Sequence, residues 1–194
     1  MLKNSVWLLL FALAACTGQK SQFPHVEIRT KFGDIELELY TQQAPVTTAA
    51  FLRYVDSGLY DNASFYRILN TENQPSNAPK SELIQGGIWG SNYKRLTKLP
   101  GIAHETTQQT KLLHTDGTIS LARQEPGTAR SEFFICIGDQ PGYDYGGENN
   151  PDGQGYAAFG RVVKGRDVVT KIFHAPENDQ YFDPQVSIYS IKRL

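Results

Sequence analysis

Alternation of apolar and polar residues over short stretches, repeated along the chain with almost no helical rhythm between, is the feature that most restricts this fold. Val26-Glu27-Ile28-Arg29-Thr30 and Ile35-Glu36-Leu37-Glu38-Leu39 alternate cleanly, with Phe32-Gly33-Asp34 as a turn between them. That pattern is a hairpin with one wet face. Further strands are expected at Ser64–Leu69, Leu83–Gly87, Thr118–Arg123, Phe133–Ile137, Ala157–Val163 and Val186–Ile191. Only two helical stripes interrupt them. Pro45 opens the first, followed by Thr48, Phe51, Leu52, Val55 and Leu59, with Gly58 at its stop. Val168, Val169, Ile172 and Phe173 form the second, ended before Pro176. About eight strands without a βαβ rhythm predict an antiparallel barrel or sandwich with helices over its ends.

The connecting segments carry turn chemistry. Asn70–Ser81 is rich in Asn, Pro and Ser and reads as a loop; residues 90–116 read as an irregular surface excursion; Asp139–Gly155 is a glycine-rich loop. No internal repeat is visible. A chain of 194 residues holds one good-sized domain, and 19 Lys+Arg against 20 Asp+Glu leave no basic stripe, so nucleic acid is not an expected partner.

The amino terminus reads separately, as a signal peptide over residues 1–15, a polar tether over 16–24 and a folded domain over 25–194. Lys3 precedes an apolar run, Val6–Ala15, that is too short for a bilayer span of ~20 residues and fits a secretory signal. Leu13-Ala14-Ala15-Cys16 resembles the lipobox of bacterial lipoproteins, which makes Cys16 the expected lipid attachment site. The expected location is a membrane-anchored, periplasm-facing position in the cell envelope. Ordinary cleavage, with Cys16 incidental, gives a secreted or periplasmic protein instead. Cys136 is then the one cysteine of the body and reads as a small buried hydrophobe.

Candidate chemistry is sparse. No G-x-S-x-G occurs, and His104, Glu105, His114 and His174 have no metal-ligand spacing, so they read as scattered surface side chains. Glu148–Gly153 resembles a calcium loop but has Phe159 where the twelfth ligand belongs. No metal or cofactor is expected. The strand Ser64–Leu69 is more informative. Alternation puts Phe65, Arg67 and Leu69 on one face, so Arg67 sits between apolar neighbours. Such an arginine either snorkels from an edge or offers its donors to a bound carbonyl. Along Ser131–Ile137, alternation separates Phe133 and Ile135 from Glu132, Phe134 and Cys136.

Five segments then combine. Phe65-Tyr66-Arg67-Ile68, Ile84-Gln85-Gly86-Gly87, Gly117–Ala122, Ser131-Glu132-Phe133-Phe134-Ile135 and Phe159–Gly165 resemble, in order and context, the cyclophilin-type peptidyl-prolyl isomerases. The resemblance runs from about Val26 to the carboxyl terminus. It implies a mainly β fold, a closed eight-stranded antiparallel barrel capped by two short helices. It also implies a site in which Arg67 is the catalytic arginine, Gln85 orients it and Phe134 floors a proline pocket. Phe65, Leu83, Ala122, Glu132, Tyr143 and Tyr156 are the expected substrate contacts. Several positions depart from the family's pattern: Glu82-Leu83 replaces a Phe-Met pair, Glu132 a glutamine, Gly142-Tyr143 a Trp-Leu or Phe-Leu pair, and Tyr156 a histidine or aromatic. Glu132 is expected to share the face of Arg67 and to pair with it.

The implied activity is isomerisation of X-Pro bonds in unfolded or extended polypeptides by a monomeric, cofactor-free enzyme. Two other readings stand beside it. One is a weakly catalytic chaperone or proline-segment binding module. The other is an envelope β lipoprotein with a structural or carbohydrate-binding task.

Overall fold

A computed structural model describes residues 23–194. The expected signal segment and the expected lipid attachment site, Cys16, lie outside the described residues. Phe23 and Pro24, the end of the expected tether, already pack on the domain: the Phe23 ring meets Tyr40 edge-on at 5.4 Å, and the Pro24 carbonyl accepts from the Leu39 amide at 3.0 Å.

Among the described residues nine strands form: β1 His25–Thr30, β2 Gly33–Leu39, β3 Ala63–Leu69, β4 Leu83–Gly87, β5 Thr118–Leu121, β6 Phe133–Cys136, β7 Ala157–Lys164, β8 Glu177–Asn178 and β9 Tyr181–Arg193. The sheet runs β1-β2-β7-β5-β6-β4-β3-β9-β8, with β1 also paired to β9. That last pairing closes the sheet, and the two-residue β8 hangs outside the ring on β9. The result is a closed eight-stranded antiparallel barrel, the expected architecture, in which the ring has no unpaired edge.

Helix α1, Pro45–Asp56, and helix α4, Arg166–Phe173, stand where the periodicity puts them. Two further one-turn helices, α2 Tyr93–Leu96 and α3 Thr107–Thr110, lie in the stretch expected to be irregular. Side-chain caps explain them. Asn92 accepts from the Arg95 amide, and Thr106 with Gln109 forms a reciprocal capping box. Thr-x-x-Gln is a readable start signal, so this helix was legible in the sequence. Among the described residues no helix is long and apolar enough to cross a membrane.

Inside the barrel, Phe51 from α1 meets Phe133 edge-on at 5.9 Å and Phe159 at 5.0 Å. Phe65 meets the other side of Phe133 at 5.8 Å. These rings, with Ile28, Ile35, Ile84 and Ile135, make one dry core. A second, smaller apolar cluster lies on the outer face of the same sheet: Leu69, Leu83, Phe134, Cys136 and Tyr143. Cys136 is fully buried in it, in keeping with a packing role. An apolar patch outside a closed barrel is where a function has to be sought.

Candidate active site

Four neighbouring strands set the site by their register. Arg67 on β3 stands opposite Gln85 on β4, Gln85 opposite Phe134 on β6, and Phe134 opposite Ser120 on β5. Alternation then decides the face, with one correction. On β4, Gly86 and Gln85 oppose Phe65 and Arg67, so β3 carries one extra residue, Tyr66. This bulge changes the phase of the strand. Phe65 points into the barrel and is fully buried there, while Arg67 turns outward. Phe65 is therefore not a groove residue: the bulge separates two side chains that simple alternation puts together.

Arg67 is half-buried and held by two amide oxygens. Its Nη1 donates to Gln85 Oε1 at 3.2 Å, and its Nη2 to Gln180 Oε1 at 2.8 Å. Among the described residues it has no carboxylate within ion-pair distance. Neutral acceptors fix the guanidinium without cancelling its charge, and its remaining N–H donors are left for a ligand. Gln180 was not singled out in the sequence. It follows Asp179, which takes φ 63° in the turn between β8 and β9. Its backbone carbonyl accepts from the Ile68 amide at 2.9 Å, and its Nε2 donates to the Asn73 carbonyl at 3.2 Å. The Asn178-Asp179 pair ahead of an apolar stretch was the one available hint of that hairpin.

Glu132 does not pair with Arg67. Its Oε1 accepts from the Ile88 amide at 2.9 Å and from Ser131 Oγ at 3.0 Å. To get there the side chain passes over Gly87, which has φ 146° and no room for a Cβ beside the carboxyl. Backbone donors at the end of β4 thus draw the carboxylate away from the guanidinium. Burial raises its pKa, partly countered by nearby donors, the Tyr66 hydroxyl first.

The ring side is packed. Phe134 contacts Tyr143 at 5.2 Å and Tyr156 edge-on at 5.5 Å, with Leu83 in the same cluster and Ala122 half-buried against it. The Tyr143 hydroxyl hydrogen-bonds Ser81 Oγ at 2.7 Å, so the loop before β4 braces that ring. Burial pushes the Tyr143 phenol up to about 12. Arg123 lies over the Tyr156 ring at 5.2 Å, tied to Asp152 at 2.6 Å, and holds that carboxyl down at about 2. Phe134 is consequently only 2% exposed. The ring seat is closed by the protein's own tyrosines.

Beneath Phe134 lies His114, expected on the surface but 1% exposed. Its Nδ1 meets Asp144 Oδ1 at 2.8 Å and its Nε2 meets Ser120 Oγ at 3.0 Å. The order serine, histidine, aspartate invites comparison with a nucleophilic triad. Ser120, however, is 0% exposed, so no substrate reaches it. The three form a hydrogen-bonded base on which Phe134 stacks, ring to ring at 5.9 Å. The histidines do not converge, and the described residues contain no group of three or more metal-ligating side chains.

Comparisons with known proteins bear on the family and the fold. The family model described as cyclophilin type peptidyl-prolyl cis-trans isomerase/CLD matches residues 25–193. The peptidyl-prolyl cis-trans isomerase of Acinetobacter baylyi is 35% identical over 152 residues, 78% of this chain and 72% of that protein. Isomerase A of Dickeya dadantii is 37% identical over 149 residues, 76% and 70% of the two chains. Isomerase B of Escherichia coli is 34% identical over 148 residues, 76% and 82% of the two. Among solved structures, a cyclophilin-type isomerase from Cryptosporidium parvum superposes with a TM-score of 0.67 at 23% identity, covering 89% of this chain and 98% of that one. At that identity it supports the fold alone.

Proposed function

The chain belongs to the cyclophilin-type peptidyl-prolyl cis-trans isomerases, and from that premise we propose that it isomerises X-Pro bonds through Arg67, with Phe134 and Leu83 as the seat of the proline ring. An X-Pro amide prefers trans only slightly but rotates over a barrier of ~18–20 kcal/mol. No bond has to break. A catalyst needs only to hold the twisted amide better than either planar form. Twisting removes the amide resonance and leaves a lone pair on the proline nitrogen. A fixed guanidinium donates to that nitrogen or to the adjacent carbonyl, while an apolar seat holds the ring so that the other side turns. Each ~1.4 kcal/mol of preference for the twisted form gives tenfold in rate.

The observation that carries this reading is the row Arg67–Gln85–Phe134 across three strands, with the guanidinium held by amides and its charge left uncancelled. The test is a peptide with a single X-Pro bond: turnover is expected, and turnover that survives Arg67→Ala defeats the arginine mechanism. The 2% exposure of Phe134 favours a second reading, a weak catalyst that captures proline-bearing segments. Peptide binding without turnover identifies it.

For location, the proposal is an exported protein anchored through Cys16, acting on proline-containing unfolded or extended segments of envelope proteins. Lys3, the apolar run Val6–Ala15 and Leu13-Ala14-Ala15-Cys16 support it. Labelled fatty acid incorporated by the full-length chain and lost in Cys16→Ser is the expected result. Label retained in that variant removes the anchor from the proposal.

A further inference from the structure

We propose that Glu132 and Tyr66 are positioning residues that fix which way the Gln85 amide faces, and so secure the acceptor that holds Arg67. This rests on the reading of Arg67 as the catalytic group. A glutamine amide offers an oxygen at one corner and an NH2 at the other, and a half-turn exchanges them in nearly the same space. Arg67 has donors only, so it needs oxygens from both of its partners.

Gln180 has no freedom in this respect. Its Nε2 faces the Asn73 carbonyl, which only accepts, so its oxygen must face Arg67. Gln85 differs. Its Nε2 donates to the Tyr66 hydroxyl at 2.6 Å, and a hydroxyl both donates and accepts. Were Tyr66 to donate instead, Gln85 would turn over and aim its NH2 at the guanidinium. Something has to hold the Tyr66 proton on its other side.

Glu132 is that acceptor. Its Oε1 already takes two donors, whereas Oε2 is buried with no hydrogen-bond partner. The Tyr66 hydroxyl lies within reach of it: burial first and the carboxylate next raise the phenol, while burial raises the carboxyl and the phenol partly counters that rise. An unassigned proton and an unassigned acceptor therefore meet in one buried place, and pairing them satisfies both. The chain then has one direction. Tyr66 donates to Glu132, Gln85 donates to Tyr66, and Arg67 donates to Gln85. An ionised carboxylate cannot donate, so it cannot reverse the order.

Protonation of Glu132 removes that guarantee. The titratable groups facing it are Tyr66 from β3 and Tyr60 from the turn before β3, and burial keeps both phenols protonated far above neutral pH. The end of β4 brings only the Ile88 and Trp89 amides. Glu132 is thus the one member of the cluster that changes charge on acidification. Burial makes it do so at a milder pH than an exposed carboxylate.

The experiment follows kcat and KM for a single X-Pro peptide from about pH 8 down to about pH 4, into the ordinary carboxylate range, with the Gln85 side-chain amide followed by NMR in the absence of peptide. In the wild type, kcat is expected to fall on the acid side while the Gln85 NH2 resonances shift with the same midpoint. Glu132→Gln and Tyr66→Phe should each lower kcat about three- to tenfold at neutral pH, the worth of one hydrogen bond, with KM little changed and the acid limb gone. The double variant should be no worse than either single one. A flat wild-type profile with unmoving Gln85 resonances overturns the proposal, as does full kcat in a folded Tyr66→Phe. Absence of turnover in the wild type with a titrating Gln85 amide overturns instead the reading of Arg67 and leaves the hydrogen-bond order standing.

Discussion

Arg67 and Phe134 share the outer face of the barrel with only β4 between them, yet their surroundings are built differently. The arginine end is assembled from directional bonds. Two amide oxygens from separate parts of the chain grip the guanidinium, and among the described residues no carboxylate neutralises it. The ring end is assembled by packing, with Tyr143 and Tyr156 against Phe134 and a buried His114 base under it. One end is set and open. The other is filled, so on the proposed mechanism a proline ring enters only as a tyrosine moves aside. Directional bonds keep a group charged and available, whereas packing gains stability by the same contacts that exclude a ligand.

Truncation breaks the comparison most severely at the ring end. Phe134→Ala removes a buried ring from the second cluster and is expected to cost about 3–5 kcal/mol, seen as a fall in the urea midpoint. Arg67→Ala should do the reverse, lowering kcat/KM about a hundredfold, the scale set by loss of one preorganised donor, with an unchanged midpoint. If both variants lose stability equally, the two ends are not distinct in kind.

The fold was largely legible because strand alternation and two helical stripes are strong local signals, and closure of the ring adds no new local pattern. The site was legible only in part. Phe134 keeps the phase, opposite to Phe133, that alternation gives it. Phe65 fails because one bulge residue, Tyr66, inverts the phase, and a bulge leaves no mark in a pattern of apolar residues. A shared strand face and opposite charge predict Glu132 on the guanidinium; the Ile88 amide beyond β4 competes for the carboxylate and wins. Gln180 lies 113 residues from Arg67, in the β8–β9 hairpin, so nothing local ties the two.

Gln180 sharpens the comparison at the arginine end. Gln180→Ala removes one of the two acceptors and should lower kcat/KM about three- to tenfold, the worth of one hydrogen bond. Gln180→Glu should bind the guanidinium more tightly through a charged acceptor, and yet not restore activity, because the charge the substrate needs is then partly cancelled. Recovery in that variant would mean that position alone matters at Arg67. Both are read in the single X-Pro peptide assay.

The smallest effect is expected from Tyr143→Phe, where stability and activity should respond with opposite signs. The variant keeps the ring that packs on Phe134 and removes only the hydroxyl bonded to Ser81. Losing that bond should cost about 0.5–1.5 kcal/mol of stability, a shift in melting temperature of a few degrees. Ser81 Oγ retains Gln74 Oε1 at 3.2 Å, so the loop is not left with a wholly unpaired hydroxyl. With its tether cut, the Tyr143 ring swings away from Phe134 more readily and the proline seat opens more often. Less stable and more active, by about twofold in kcat/KM or somewhat more, is the expected combination, bounded by the free energy of the bond removed. If activity falls together with stability, the bonded tyrosine is a fixed wall of the seat and not its cover.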